Sequence, residues 1–380
     1  MKNTTSIPLA ALFAALLASA PSLPLNAAES KEPPRPLVQI ALLLDTSNSM
    51  DGLIEQAKGQ LWKIVNEFIN ARQNGRRPDL EVALFEYGKS SLSREEGYIR
   101  LIQRLTHDLD KISEELFALR TNGGDEYCGW VIREAVEKLA WSKSPDDFKA
   151  IFIAGNEPFT QGPVDYAKSC KAAIERGIIV NTIHCGGQAE GISTKWRDGA
   201  LLAEGKYMVI DHNRAVVHFE APQDKEIARL GVELNKTYLA FGRTGEAGAL
   251  RQTAQDANSV SLAAQGSLLN RAVFKASPQY RNDTWDLVDA CRNGKVKLAE
   301  LKPDELPAEL RNMTAAEQHA FVQEKTKVRE EVQNKINRLN AERSKYIAEQ
   351  TKQRAGADTL DAVVTAAIRE QAVKKNFRFD

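Results

Sequence analysis

Asp45, Ser47 and Ser49 alternate in the stretch VQIALLLDTSNSM at residues 38–50, directly after a run that is apolar except at Gln39. One anionic and two neutral oxygens placed this way can converge on a single small point. Hard divalent cations take such mixed oxygen shells, and magnesium in particular keeps waters and uses only one or two carboxylates. The same residue types also serve as turn and helix-capping groups, because their side chains satisfy the first free amides of a helix. Context separates the two readings: the oxygens follow a strand-like run and precede a long helical pattern that starts near Asp51.

A strand buried on both faces reads as a continuous apolar run, and its carboxyl end is where an α/β sheet presents ligand groups. Residues 38–44 have this texture. Apolar residues at helical spacing from Leu53 to Ile69 predict the first helix, and EVALFEY at 81–87 predicts a second strand. Residues 101–119 begin extended and pass through Thr106 and Asp108 into a helix carrying Leu109, Ile112, Leu116 and Leu119. The Gly-containing loop TNGGDEYCG at 121–129 leads into a helix with Val131, Ile132, Ala135, Val136 and Leu139. A buried strand at 150–154 ends in Gly155-Asn156-Glu157-Pro158; a helix at 164–176, a strand at 178–184, a helix at 196–204 and a strand at 207–210 follow. Strands alternating with helices of this length imply right-handed crossovers and a sheet covered on both faces. The expected fold class is therefore α/β, a doubly wound, mostly parallel sheet, followed by an α-helical C-terminal region.

The D-x-S-x-S pattern at the end of the first strand resembles the metal-ion-dependent adhesion site (MIDAS) of the von Willebrand factor type A (VWA) family. The resemblance covers residues 37–212, under half of the chain. It implies a divalent cation, Mg²⁺ first with Mn²⁺ or Ca²⁺ as alternatives, held by the D-x-S-x-S oxygens, by a Thr from a second loop and by an Asp after the central strand. The remaining coordination position is offered to an acidic side chain of a protein partner. Asp45, Ser47 and Ser49 match without substitution.

The other two positions depart from the pattern. Thr121 lies in the second loop, but counting back from Gly129 puts Gly124 or Asp125 where the family threonine falls, so Thr121 and Asp125 stand level as candidates. Asp125 and Glu126 also read as favourable charge at the amino end of the next helix. Where the family has Asp-Gly, this chain has Ala154-Gly155-Asn156-Glu157, which leaves Asn156 or Glu157 to supply an oxygen, directly or through water. Two carboxylates in the shell would lower the pull on a partner's acidic group, and loss of the usual one would raise it.

Composition sets outer limits. The chain has 380 residues, 43% of them hydrophobic, with Lys plus Arg equal to Asp plus Glu at 51 each. That is enough apolar content for a sizeable core, and no global field favours nucleic acid or an anionic membrane. Residues 1–28 have a cationic start at Lys2, an apolar Ala/Leu-rich run and small residues at Ala27 and Ala28, the features of a cleavable signal peptide. Residues 29–36 read as a linker. No cysteine precedes Cys128 and no later apolar run approaches the length of a membrane span, so the expected location is periplasmic or secreted. In an oxidising compartment Cys128, Cys170, Cys185 and Cys291 permit one or two disulfides, and a bridge among the first three is expected.

Residues 213–380 read as helices, loosely packed over 224–275. Phe321, Val328, Val332, Ile336, Leu339 and Tyr346 form one apolar seam on a long helix at 314–354, suited to a small bundle or to an intermolecular coiled coil. A last amphipathic helix follows Gly356. A hydrolase would need Ser47 or Ser49 activated by a base, but His107, His184, His212, His218 and His319 show no motif spacing to either serine and no nucleophile elbow, P-loop or H-E-x-x-H occurs. The sequence thus predicts a non-catalytic interaction protein. The alternative is a structural protein with a degenerate metal site whose helical tail does the binding, and a hydrolase ranks third.

Overall fold

In the computed structural model the described residues are Met1 and residues 35–210, 219–353 and 360–379. The expected signal peptide, linker residues 29–34, His212 and His218 lie outside them.

The predicted strands form where the apolar runs are. Strand β1 (Leu37–Asp45) is followed by α1 (Asp51–Asn66), a short β2 (Ala71–Gln73), β3 (Asp79–Tyr87) and β4 (Ile99–Thr106). Then come α2 (Leu109–Ala118), α3 (Cys128–Lys138), β5 (Phe148–Gly155), α4 (Tyr166–Glu175), β6 (Ile179–Cys185), α5 (Gln188–Ser193), α6 (Trp196–Leu202) and β7 (Tyr207–Ile210). Asp108 caps α2, accepting a hydrogen bond from the Lys111 amide at 3.0 Å. Helix α5 is an addition to the sequence expectation, which has no element between Cys185 and Trp196.

The main sheet has the order β4-β3-β1-β5-β6-β7. All neighbours are parallel except the β3–β4 pair at one edge. The chain leaves β1 toward β3 and β4, then crosses back to β5 on the other side of β1, so the direction of winding reverses beside β1. The crevice at that switch point, outside the carboxyl ends of β1 and β5, is where doubly wound sheets bind ligands. The sheet is packed on both faces. One face carries Val38, Ile40, Leu42 and Leu44 of β1, and the other Ala41 and Leu43, because side chains alternate along a strand.

The helical segment consists of α7 (Asp224–Asn235), α8 (Gly245–Ser261), α9 (Ser267–Lys275), α10 (Leu287–Arg292), α11 (Ala315–Gln353) and α12 (Leu360–Val373), and it ends in β8 (Phe377–Phe379). It is not loosely packed. Phe274, Tyr280, Ile368, Ala372 and Phe377 are buried in the same apolar cluster as β1 and α1. β8 pairs antiparallel with β2, so residues 377–379 close against the segment that follows α1. Residues 35–380 form a single compact unit.

Charged groups are sealed in as well. Arg271 of α9 bonds Asp110 of α2 and, at 3.0 Å, Asp256 of α8, and its guanidinium lies 4.6 Å from the Trp62 ring centroid. Arg329 of α11, which sequence periodicity leaves among the solvent-facing positions, is fully buried against Asp286 and Asp289. The seam on α11 divides accordingly: Val332, Ile336 and Leu339 pack with α7 and α9, and Phe321 packs with α10.

The expected disulfide is corrected. All four cysteines are free, with Cys128, Cys170 and Cys185 buried. Cys128 and Cys170 belong to the apolar layer on one face of the sheet and Cys185 to the layer on the other, so the sheet separates Cys185 from both. Burial pushes the Cys170 thiol up to about 12 and raises those of Cys128 and Cys185 well above the ordinary range.

Candidate functional site at the sheet crest

β1 ends at Asp45, whose side chain is fully buried because β3 and β5 flank the strand on both sides. Its Oδ1 accepts the Ser47 amide at 2.7 Å and its Oδ2 accepts the Ser47 hydroxyl at 3.2 Å. Ser47 Oγ and Ser49 Oγ are 3.0 Å apart, and Ser49 Oγ donates to Asn156 Oδ1 at 3.2 Å, just past the end of β5. The oxygens of Asp45, Ser47, Ser49 and Asn156 are thus one connected chain across the switch point.

The second loop docks against this crest through backbone. The Asn122 amide donates to Thr46 O at 2.9 Å and the Ser90 amide to Gly123 O at 2.6 Å. A Cβ on Gly124 would come within 2.6 Å of Ser90 N and 2.7 Å of Gly88 O, so glycine there permits the close approach. Of the two candidates from this loop, neither hydroxyl nor carboxylate points to Asp45. Thr121 donates its hydroxyl to Asp51 at the start of α1, and Asp125 accepts from Tyr127 OH at 3.1 Å on the exposed rim.

The residue that reaches the crest is Glu126. It is buried beside Asp45, and its Oε2 accepts the Glu157 amide at 3.3 Å. Glu157 enters through its backbone, and its carbonyl also accepts from Trp196 Nε1 at 2.8 Å. Glu126 turns inward while Asp125, one residue earlier, is exposed, and nothing in the loop sequence tells the two apart.

Electrostatically the crest is unusual. Burial raises both carboxyls above the ordinary carboxylate range, and the proximity of the second acid adds to the rise at Asp45. Because the two acids interact, they titrate as a pair and not as separate residues. Neither acid has an ion-pair partner among the described residues. Gly88, at φ +81°, leaves room for the pair: a Cβ there would sit 2.6 Å from Asp45 Oδ1 and 2.8 Å from Glu126 Cγ. Tyr87 OH bridges to Ala154 O at 2.9 Å and ties β3 to β5 beneath the site.

A doubly wound sheet of this order, with D-x-S-x-S on the crest of its central β1, decides the fold. It is VWA-like. Compared by sequence, the chain matches no family profile and no curated relative. Among solved structures it is similar to the conserved hypothetical protein BatB from Bacteroides thetaiotaomicron, with 17% identity and a TM-score of 0.35 over 46% of this chain and 90% of that one. It is similar to the SpRpn10 VWA domain at 17% identity and a TM-score of 0.35, covering 46% and 88%. A mussel byssus matrix protein with a zinc-occupied MIDAS motif gives 12% identity and 0.32, covering 47% and 43%.

No group of three or more His, Cys, Asp and Glu is gathered as a metal nest among the described residues. The crest instead offers two carboxylates with two hydroxyls and an amide oxygen, a donor set of the kind hard divalent cations use. His184, at the end of β6, is buried beside Trp196 at 5.6 Å between centroids, and neither Ser47 nor Ser49 has a histidine among its hydrogen-bond partners.

Proposed function

We propose that this chain is an exported, non-catalytic interaction protein whose VWA domain binds a partner through a divalent cation at the crest. One observation carries the reading: Asp45 and Glu126 are buried side by side with no cationic side chain to pair them. Two unpaired buried acids are costly, and a bound cation is the group that relieves the cost. Asp45, Ser47 and Ser49 would hold the ion, with Glu126 in the place expected of Thr121 or Asp125 and Asn156 completing the row. Glu157 positions Glu126 through its amide. Mg²⁺ or Mn²⁺ suits so compact a shell better than Ca²⁺, which takes more oxygens.

The ion's chemistry would be electrostatic: an open coordination position accepts an acidic side chain from a protein partner. Glu126 spends part of the cation's charge, so the pull on that side chain is weaker than with one carboxylate in the shell. Export to the periplasm or beyond follows from residues 1–28 as a signal peptide, and among the described residues no helix is long and apolar enough to cross a membrane.

A second reading has its own support. Every oxygen of the row already has a partner within the protein, and Val232, Leu250 and Val260 on α7 and α8 expose apolar surface. There the crest only holds loops together and the helical segment makes the contact. Calorimetric titration with Mg²⁺ and Mn²⁺ tests the first reading: one site, lost in Asp45→Ala, is expected. Partner binding that survives both chelation and Asp45→Ala would favour the helical segment, and turnover by the purified protein would revive a hydrolase.

A further inference from the structure

A second concave site lies at the opposite end of the sheet. A cavity of about 630 Å³ opens between the segments that precede β1 and β3, the turn between α9 and α10, and the middle of α11. Arg35, Arg77, Arg281, Arg292 and Lys295 line it, against one acid, Asp283. The chain as a whole is neutral, so five cations around one cavity is a local concentration. Asp45 stands at the far end of β1, roughly 26 Å away along a strand rising about 3.3 Å per residue.

The acids nearby do not balance this charge. Asp79 is shared by Arg281 and, at 3.6 Å, Arg35. Asp289 holds Arg292 at 2.8 Å but also Arg329 at 3.0 Å. Asp283 accepts from Asn293 at 3.1 Å. Arg77 and Lys295 pair with no acid among the described residues. Partial desolvation and, less, the neighbouring Arg72 charge push the Arg77 guanidinium below its ordinary pKa. Asn334 and Asn337 of α11 add neutral donors and acceptors to one wall.

We propose that this cavity binds a small multivalent oxyanion, a phosphoryl or polycarboxylate compound, with Arg77 and Lys295 as the residues that select it. Guanidinium forks match the paired oxygens of phosphate and carboxylate alike, and the amides suit a polar body attached to the anion. The site is independent of the crest and of the reading given to it.

The test is calorimetry on the full chain in metal-free buffer with pyrophosphate and with citrate. One-to-one binding of at least one probe is expected, weakening with added salt. Pyrophosphate alone points to a phosphoryl ligand, citrate alone to a carboxylate, and both to selection by charge. Arg77→Gln with Lys295→Gln should lower affinity at least tenfold, and Asp45→Asn should leave it unchanged. If the double variant does not fold, protection of Arg77 from phenylglyoxal by the bound probe, read by mass spectrometry in the wild-type chain, replaces it. Failure of both probes to bind, or equal affinity in the double variant, or no protection of Arg77, overturns the proposal.

Discussion

Asp45 and Glu126 lie side by side under the crest, both buried, one brought by the central strand and the other by the loop before α3. Sequence distance hides the pair. On the proposed cation reading, a proton and a metal ion would compete at the crest.

The first prediction follows from that competition. A carboxyl whose folded pKa is raised holds its proton more tightly in the native state; its contribution is full below the unfolded value of about 4 and is lost as pH rises through the raised folded value. Removing one acid should therefore matter most at neutral and alkaline pH. In metal-free buffer, Glu126→Gln is expected to be more stable than wild type by about 1–2 kcal/mol at pH 8 and by little at pH 5. Saturating Mg²⁺ should stabilise wild type at pH 8 and leave Glu126→Gln nearly unmoved. Urea denaturation at the two pH values checks both; a variant that tracks wild type throughout would remove the paired-acid account.

Gly88 controls the space between the two acids. Alanine there must adopt a positive φ and place Cβ against Asp45 Oδ1 and Glu126 Cγ. Gly88→Ala is expected to cost about 1–3 kcal/mol and to weaken cation binding at least tenfold by splaying the pair. Denaturation and calorimetry on one preparation measure both, and unchanged affinity would show that the pair does not hold the ion.

The thiols give a simple measurement. With Cys128, Cys170 and Cys185 buried and free, the native protein should contain four thiols by mass, and reductant should not shift its melting temperature. Only the partly buried Cys291 is expected to react with a thiol reagent before unfolding. A melting temperature that falls in reductant would restore a structural bridge.

The end of the chain should behave as part of the sheet's core. Phe377 is buried among residues that include Phe68, Ile368 and Ala372, so Phe377→Ala is expected to cost about 3–5 kcal/mol. A fragment ending at residue 212 loses the cover of Phe274, Tyr280, Ile368, Ala372 and Phe377 and should be insoluble or only partly folded. A fragment melting as cooperatively as the full chain would contradict this.

The sheet was legible because burial on both faces favours apolar residues: 40–44 and 150–154 are apolar throughout, 178–184 departs only at Asn181, Thr182 and His184, and the helices between them carry their own periodicity. Asp45, Ser47 and Ser49 were legible for the same reason, being fixed at the end of a strand that nothing else could form. Asn156 was legible as the residue after β5. That Glu126 is the second-loop residue beside Asp45 was not, since Thr121, Asp125 and Glu126 all offer side-chain oxygens and a loop has no period to tell inward from outward.

Taken by itself, the order of residues determined the strands, most of the helices and the half of the crest that β1 carries, because those depend on local pattern. Tertiary structure alone decided that Glu126 turns inward, that the sheet keeps Cys185 apart from Cys128 and Cys170, that Arg329 is buried, and that β8 returns to β2. Each of these depends on which surfaces meet across long stretches of chain, and contact between distant segments leaves no periodic trace in either one.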